Sequence, residues 1–258
     1  SHLEEFPLSH PFIIWTMRRT GGTSLATLLM KLSEHPGTQH EPFNADRALG
    51  HVLTAWQQDR DVPAMRGAIR QALARTPTIK HCYELMPLKL NRALLQVSNN
   101  LGYRHIILER QDEAARILSL ELAKMTGAWG KEAATDIYAQ IAAGNRQMEP
   151  IDTSSALSHL RTCRQKRADL LALFAEYQQE PFSVCFEDMY TDYDRGQAKL
   201  QELLDFLSLD VSGLPDFEDQ VRTALVQSGQ NSARMQHYVP NLHKARQVLQ
   251  RALDEESR

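Results

Sequence analysis

Pro11-Phe-Ile-Ile-Trp-Thr-Met-Arg-Arg-Thr-Gly-Gly-Thr-Ser-Leu-Ala-Thr-Leu-Leu29 reads as a strand, a glycine turn and a helix in direct succession. Residues 12–17 are β-branched, aromatic and apolar without alternation, the pattern of a parallel strand buried on both faces. From Ser24 onward, Leu25, Leu28, Leu29 and Leu32 fall at helical spacing. Gly21 and Gly22 mark the junction. With no side chains there, backbone N–H groups can close on an oxyanion, and the helix N-terminus adds partial positive charge. Arg18 or Arg19 adds a full one. The segment predicts a cradle for a phosphate-like group.

The pattern outward from this turn is a repetition of strand and helix. A polar connection over 34–44 leads to helices at 44–57, where Asn44 is the candidate cap, and at 61–75, opened by Asp61 and Pro63. Residues 78–83 read as a second strand and 88–97 as a helix. A third strand follows at 104–109, then a helix capped by Asp112. The pattern is helical from 131 to 178, broken at 144–151, and restarts at Asp152 or Thr153. A fourth strand occupies 182–186, a helix 198–207, and the remainder is a polar loop with a last helix from about Asn241. Such alternation predicts an α/β fold, a parallel sheet with helices on both faces. Ligands then bind beyond the carboxyl ends of the strands, where the glycine turn and residues 80–84, 109–112 and 187–188 should converge.

The 258 residues suit a single α/β domain over 1–258, since no Gly/Ser/Pro-rich linker divides them. A net charge of -3, from 29 basic and 32 acidic residues, argues against a nucleic-acid partner, so any anion site has to be local. Arg161, Arg164, Lys166 and Arg167 alternate with leucines and read as the solvated side of an amphipathic helix. Three scattered cysteines, Cys82, Cys163 and Cys185, form neither a disulfide framework nor a zinc site. Among ten histidines none makes a His-x-x-x-His pair beside an acid in a helical stretch, so no metal is expected. With no secretory signal and no apolar stretch of membrane-spanning length, the expected location is cytoplasmic and no membrane span is expected. Ser1-His2 stands where an initiator methionine is expected, which leaves room for a trimmed leader.

The glycine pattern narrows the ligand. A nucleoside triphosphatase loop carries a lysine just before the hydroxyl residue that holds magnesium. Here Gly22 runs directly into Thr23-Ser24, and the basic residue precedes the glycines. Arg19-Thr20-Gly21-Gly22-Thr23 resembles instead the phosphosulfate loop of sulfotransferases. The resemblance implies a P-loop-like sheet and a loop, with Arg18, Arg19, Thr20, Gly21, Gly22, Thr23 and Ser24, that holds the 5′-phosphosulfate of 3′-phosphoadenosine 5′-phosphosulfate (PAPS). The product would be 3′,5′-adenosine bisphosphate (PAP), with no metal required.

Further segments carry the same resemblance. His105-Ile-Ile-Leu-Glu-Arg-Gln-Asp-Glu-Ala-Ala-Arg-Ile-Leu-Ser119 is similar to the family's 3′-phosphate segment, in which a strand-end arginine, here Arg110, and a helix serine, here Ser119, bind that phosphate. Its spacing looks most like the bacterial trehalose-sulfotransferase type. His40-Glu-Pro-Phe-Asn44 resembles the family's Glu-Pro segment, which makes Glu41 a candidate base for the acceptor hydroxyl. His81 competes for that role, because a strand-end histidine is the base in the cytosolic branch and an imidazole titrates near neutrality. Lys80, in a strand where the trehalose type usually has a lysine, is a candidate for the acceptor or sulfonate oxygens, and Arg19 for the bridging oxygen of the leaving phosphate. Phe182-Ser-Val-Cys-Phe-Glu-Asp-Met-Tyr190 resembles the family's aromatic-Glu-Asp strand end, with Glu187 and Asp188 organising a loop. Gln230-Asn-Ser-Ala-Arg-Met235 looks like the late loop over the nucleotide, with Arg234 toward phosphate.

The resemblance implies an enzyme that transfers a sulfuryl group by in-line displacement from PAPS to a hydroxyl of a small-molecule or carbohydrate acceptor. The alternatives are a P-loop small-molecule kinase and a non-catalytic nucleotide-binding protein. The acceptor and the oligomeric state stay open.

Overall fold

The structure is a computed structural model that describes residues 9–129, 131–226 and 235–256. Strands β1 (Phe12–Thr16), β2 (Ile79–Cys82), β3 (Arg104–Glu109) and β4 (Phe182–Cys185) form one sheet in the order β2-β1-β3-β4, with every neighbouring pair parallel. All of β1 is buried, which explains its unbroken apolar run. Its side chains still alternate in what they meet. Phe12 and Ile14, with Ile106 and Leu108 of β3, pack against α1 (Gly22–Leu32), α9 (Tyr193–Leu207) and α10 (Phe217–Val226). Ile13 and Trp15, with Ile79 and Ile107, face the opposite layer. That layer comprises α2 (Gly50–Asp59), α3 (Val62–Ala72), α4 (Leu88–Asn100), α5 (Glu113–Thr126), α6 (Lys131–Ala142), α7 (Thr153–Glu176) and α11 (Leu242–Glu256). A short helix α8 (Phe186–Tyr190) follows β4.

The strand order fixes where a crevice opens. After β1 the chain crosses to β2 on one side, then passes back over β1 to place β3 on the other. Loops leaving β1 and β3 therefore diverge, and the gap at their carboxyl ends is the switch point of the sheet.

Several helices begin where the sequence puts their caps. Asp61 accepts from Ala64 N, Asp112 from Ala115 N, and Asp152 from Ser154 N and Ser155 N. Others differ from expectation. Asn44 does not start a helix, because its side chain turns back to Glu41 and the chain makes turns until α2 opens at Gly50. The expected fourth strand stops at Cys185 and Phe186 already belongs to α8. Helix α9 begins earlier than expected, at Tyr193, because Asp192 caps it through Arg195 N. Helix α10 occupies a stretch expected to be loop, and it offers only Val221 and Leu225 as buried apolar positions.

Between the sheet and its helical cover lies a buried polar line. Trp15 Nε1 donates to His105 Nδ1 at 3.1 Å, and His105 Nε2 pairs with Asn99 Oδ1 at 2.7 Å. Burial pushes the His105 imidazole down to about 3, so it stays neutral with its proton on Nε2. Among the described residues, no helix is long and apolar enough to cross a membrane.

Candidate anion site

The turn from β1 into α1 is closed from inside. Thr20 Oγ1 donates to Met17 O at 2.8 Å and is hydrogen-bonded to the hydroxyl of Thr16. The Thr20 side chain is thus buried in the turn rather than offered outward. Gly21 caps α1 at φ 75, a left-handed conformation that glycine adopts without penalty. A Cβ there would stand 2.6 Å from Tyr190 Cε2, and the Tyr190 hydroxyl donates to Gly21 O at 2.8 Å. No side chain caps α1 and its first turn holds no acid, so its leading N–H groups remain for an anion or solvent. Thr23 is exposed and Ser24 half-buried on that same turn.

The two adjacent arginines have different fates. Arg18 donates its backbone N–H at 2.6 Å and its Nε at 3.1 Å to Glu84 Oε1. Burial alone would lower the Arg18 guanidinium, but the Glu84 carboxylate beside it raises it overall. Arg19, at φ 67, points the other way, and its Nε donates to Ser119 Oγ at 2.9 Å. Burial holds Arg19 below its ordinary value, with only the Tyr138 hydroxyl working against that. Arg18 is therefore spent on the fold, while Arg19 pairs with no carboxylate among the described residues.

Arg110 arrives from the end of β3. Its Nη1 donates to Arg19 O at 3.3 Å, its guanidinium lies 4.4 Å from the Phe186 ring centroid, and its buried Nε has no hydrogen-bond partner among the described residues. Burial lowers it, Glu187 and Asp112 oppose this, and the charges of Arg19 and Arg116 reinforce it. Arg116, one helical turn before Ser119, is 2% exposed and its Nη1 also lacks a hydrogen-bond partner among the described residues. The loop that carries Arg110 is fixed by Glu187, which accepts from Gln111 N at 3.0 Å and Asp112 N at 3.1 Å. Asp188 pairs with Arg195 at 2.5 Å.

On the other side of α1, Lys80 projects from β2 toward the first helical turn. Its Nζ is 2.6 Å from Glu41 Oε1 and 3.4 Å from Thr23 Oγ1. Glu41 sits at φ 55, takes a hydrogen bond from Asn44 Nδ2 at 3.0 Å, and ties its own N–H to Lys80 O at 3.0 Å. The neighbouring Phe43 is fully buried and anchors this loop to the core. Burial would raise the Glu41 carboxyl, but Lys80 outweighs it and holds it below the usual range.

The structure thus brings Arg19, Gly21, Gly22, Thr23, Ser24, Lys80, Glu41, Arg110 and Ser119 around one helix N-terminus. It does not bring His81 there. Successive strand residues face opposite sides, and His81 points into the core, 1% exposed, with Nε2 paired to Asn91 Oδ1 at 2.7 Å. Its expected role as a base fails on that geometry. Arg18 and the Thr20 hydroxyl are likewise engaged elsewhere, and Arg234 lies outside the described residues. Tyr138 shapes the site without any motif that would have singled it out, while Glu84 and Tyr190 lie in segments the sequence placed near the site without giving either a role. No protein-family model matches the chain, and no curated protein matches it.

Proposed function

We propose that the chain is a PAPS-dependent sulfotransferase acting on a hydroxyl of a small-molecule or carbohydrate acceptor. The observation that carries this reading is the meeting of Arg19, Arg110 and Ser119 at the uncapped N-terminus of α1. The residues suit a nucleotide with phosphate at two places. Arg110 has a buried Nε without a partner among the described residues, and Ser119 holds its hydroxyl against Arg19, whose carbonyl Arg110 touches. The first turn of α1, free of acid, suits the 5′ end. Guanidinium groups favour such anions through planar, charge-assisted hydrogen bonds.

Bound there, the nucleotide would supply an activated sulfuryl group. Arg19 would offset charge on the departing phosphate, which is the kind of fixed electrostatic support that contributes most in a water-poor site. Glu41 would hold the acceptor oxygen and take its proton at a carboxylate oxygen. Lys80 has no second acid to satisfy among the described residues and can reach toward the sulfonate.

Calorimetric titration with PAP, AMP and ATP plus magnesium tests the reading. PAP should bind about ten- to a hundredfold more tightly than AMP, the range expected of charged hydrogen bonds to one phosphate. Arg110→Met should remove most of that difference while leaving AMP affinity nearly unchanged. Equal affinity for PAP and AMP in the unaltered protein would end the sulfotransferase reading.

A further inference from the structure

Glu41 is placed to accept a proton and yet is held in the form least able to take one. Its partner explains why. Lys80 is 6% exposed, and its Cε stands 3.1 Å from where a Cβ on Gly22 would be, so the side chain lies along the helix start. Its ammonium sits between a carboxylate at 2.6 Å and a first-turn hydroxyl at 3.4 Å. An ammonium has three donors on a flexible stem, so it can change partner by a small rotation. The helix end beside it is where an anion is favoured.

We propose that Lys80 is a shared cation: it neutralises Glu41 while the first turn of α1 lacks an anion, and passes to the ligand when one binds, freeing Glu41 to take a proton. The inference rests on the sulfotransferase reading and adds an order of events to it. Other groups facing Glu41 do not substitute for Lys80. Asn44 keeps a neutral hydrogen bond to Oε2. Arg47 acts on Glu41 only through its field, from an exposed loop. His40 is lowered by burial and by the Lys80 charge, so it adds no cation, and His81 and Cys82, within β2, are buried and neutral. The handover conserves charge, because one cation moves between two anions. Its effect is to make the base available only when the donor nucleotide is in place, so an acceptor hydroxyl is not activated in front of an empty site.

Carbon-13 NMR of protein labelled at glutamate Cδ reads this directly, with Glu41→Gln assigning the signal. Saturating PAP should raise the Glu41 titration midpoint by about one pH unit or more, a tenfold gain in proton affinity. In Lys80→Met the midpoint should already be raised without ligand, and PAP should move it far less. A wild-type midpoint unmoved by PAP, in a protein that still prefers PAP to AMP, overturns the handover and leaves the sulfotransferase reading intact. A Lys80→Met midpoint equal to that of the wild type also overturns it. Failure of PAP to bind at all overturns both.

Discussion

At position 81 the chain buries an imidazole edge-on to Trp15, with ring centroids 5.0 Å apart, and gives it one polar partner in Asn91. Burial pushes that imidazole from 6.5 down to about 4, and His105 is lowered further in the same way. Both are neutral in the fold and become protonable when the chain opens. The unfolded chain therefore binds more protons than the folded one between about pH 6.5 and 4. Stability contributed by the neutral histidines is full above pH 6.5 and declines as pH falls through that window, by at most about 1.4 kcal/mol per pH unit for each. Urea midpoints measured from pH 7.5 to 4.5 should show this slope, and His81→Gln should remove its share of it. Sequence alone could not separate His81 from Lys80. They are adjacent on a strand covered on both faces, so neither polarity nor alternation says which one points to the core. The same holds for Arg18 and Arg19, whose difference is decided by Glu84, far along the chain. What the alternation of strands and helices did make legible was that the glycine turn and the strand end at Arg110 would lie together; Ser119 was implied only by the resemblance to sulfotransferases.

Among the elements, α5 shows how local signals carry through to the site. Asp112 caps it through Ala115 N at 2.8 Å and also accepts from Arg246 Nη2 at 2.7 Å. Asp112→Ala should lower stability by about 1–2 kcal/mol in equilibrium unfolding, as loss of a cap does, and should weaken PAP binding because the same helix carries Ser119. Asp61→Ala, which removes a comparable cap on α3, should cost stability without touching ligand affinity. Caps of this kind are readable because donor and acceptor lie within three residues of each other. Asn44 carries the same chemistry but is diverted by Glu41, and α8 hides in a sequence that continues the aromatic pattern of its strand. In both cases a partner or packing choice outside the local window decides the outcome.

For the whole molecule, four strands alternating with helices implied a parallel sheet, yet nothing in the strands themselves gave the order β2-β1-β3-β4. That order depends on which helical layer each crossover joins, a matter of packing between distant segments. Helix α11 belongs to this level. Leu249 and Ala245 are fully buried in the layer that holds α5 and α7. Leu249→Ala should cost about 2–5 kcal/mol by urea unfolding, the range for emptying a core leucine site. Just before this helix, Asn241 accepts from Ile151 N at 2.8 Å and donates to Ile151 O at 2.9 Å, clasping the start of α7 as a paired strand would. The clasp and the Arg246–Asp112 contact tie residues beyond 240 to the loop that delivers Arg110. The loop that presents Arg110 is therefore held partly from a distant stretch of the chain, so a proteolytic cut that released α11 should loosen the arginine pocket without touching any residue in it.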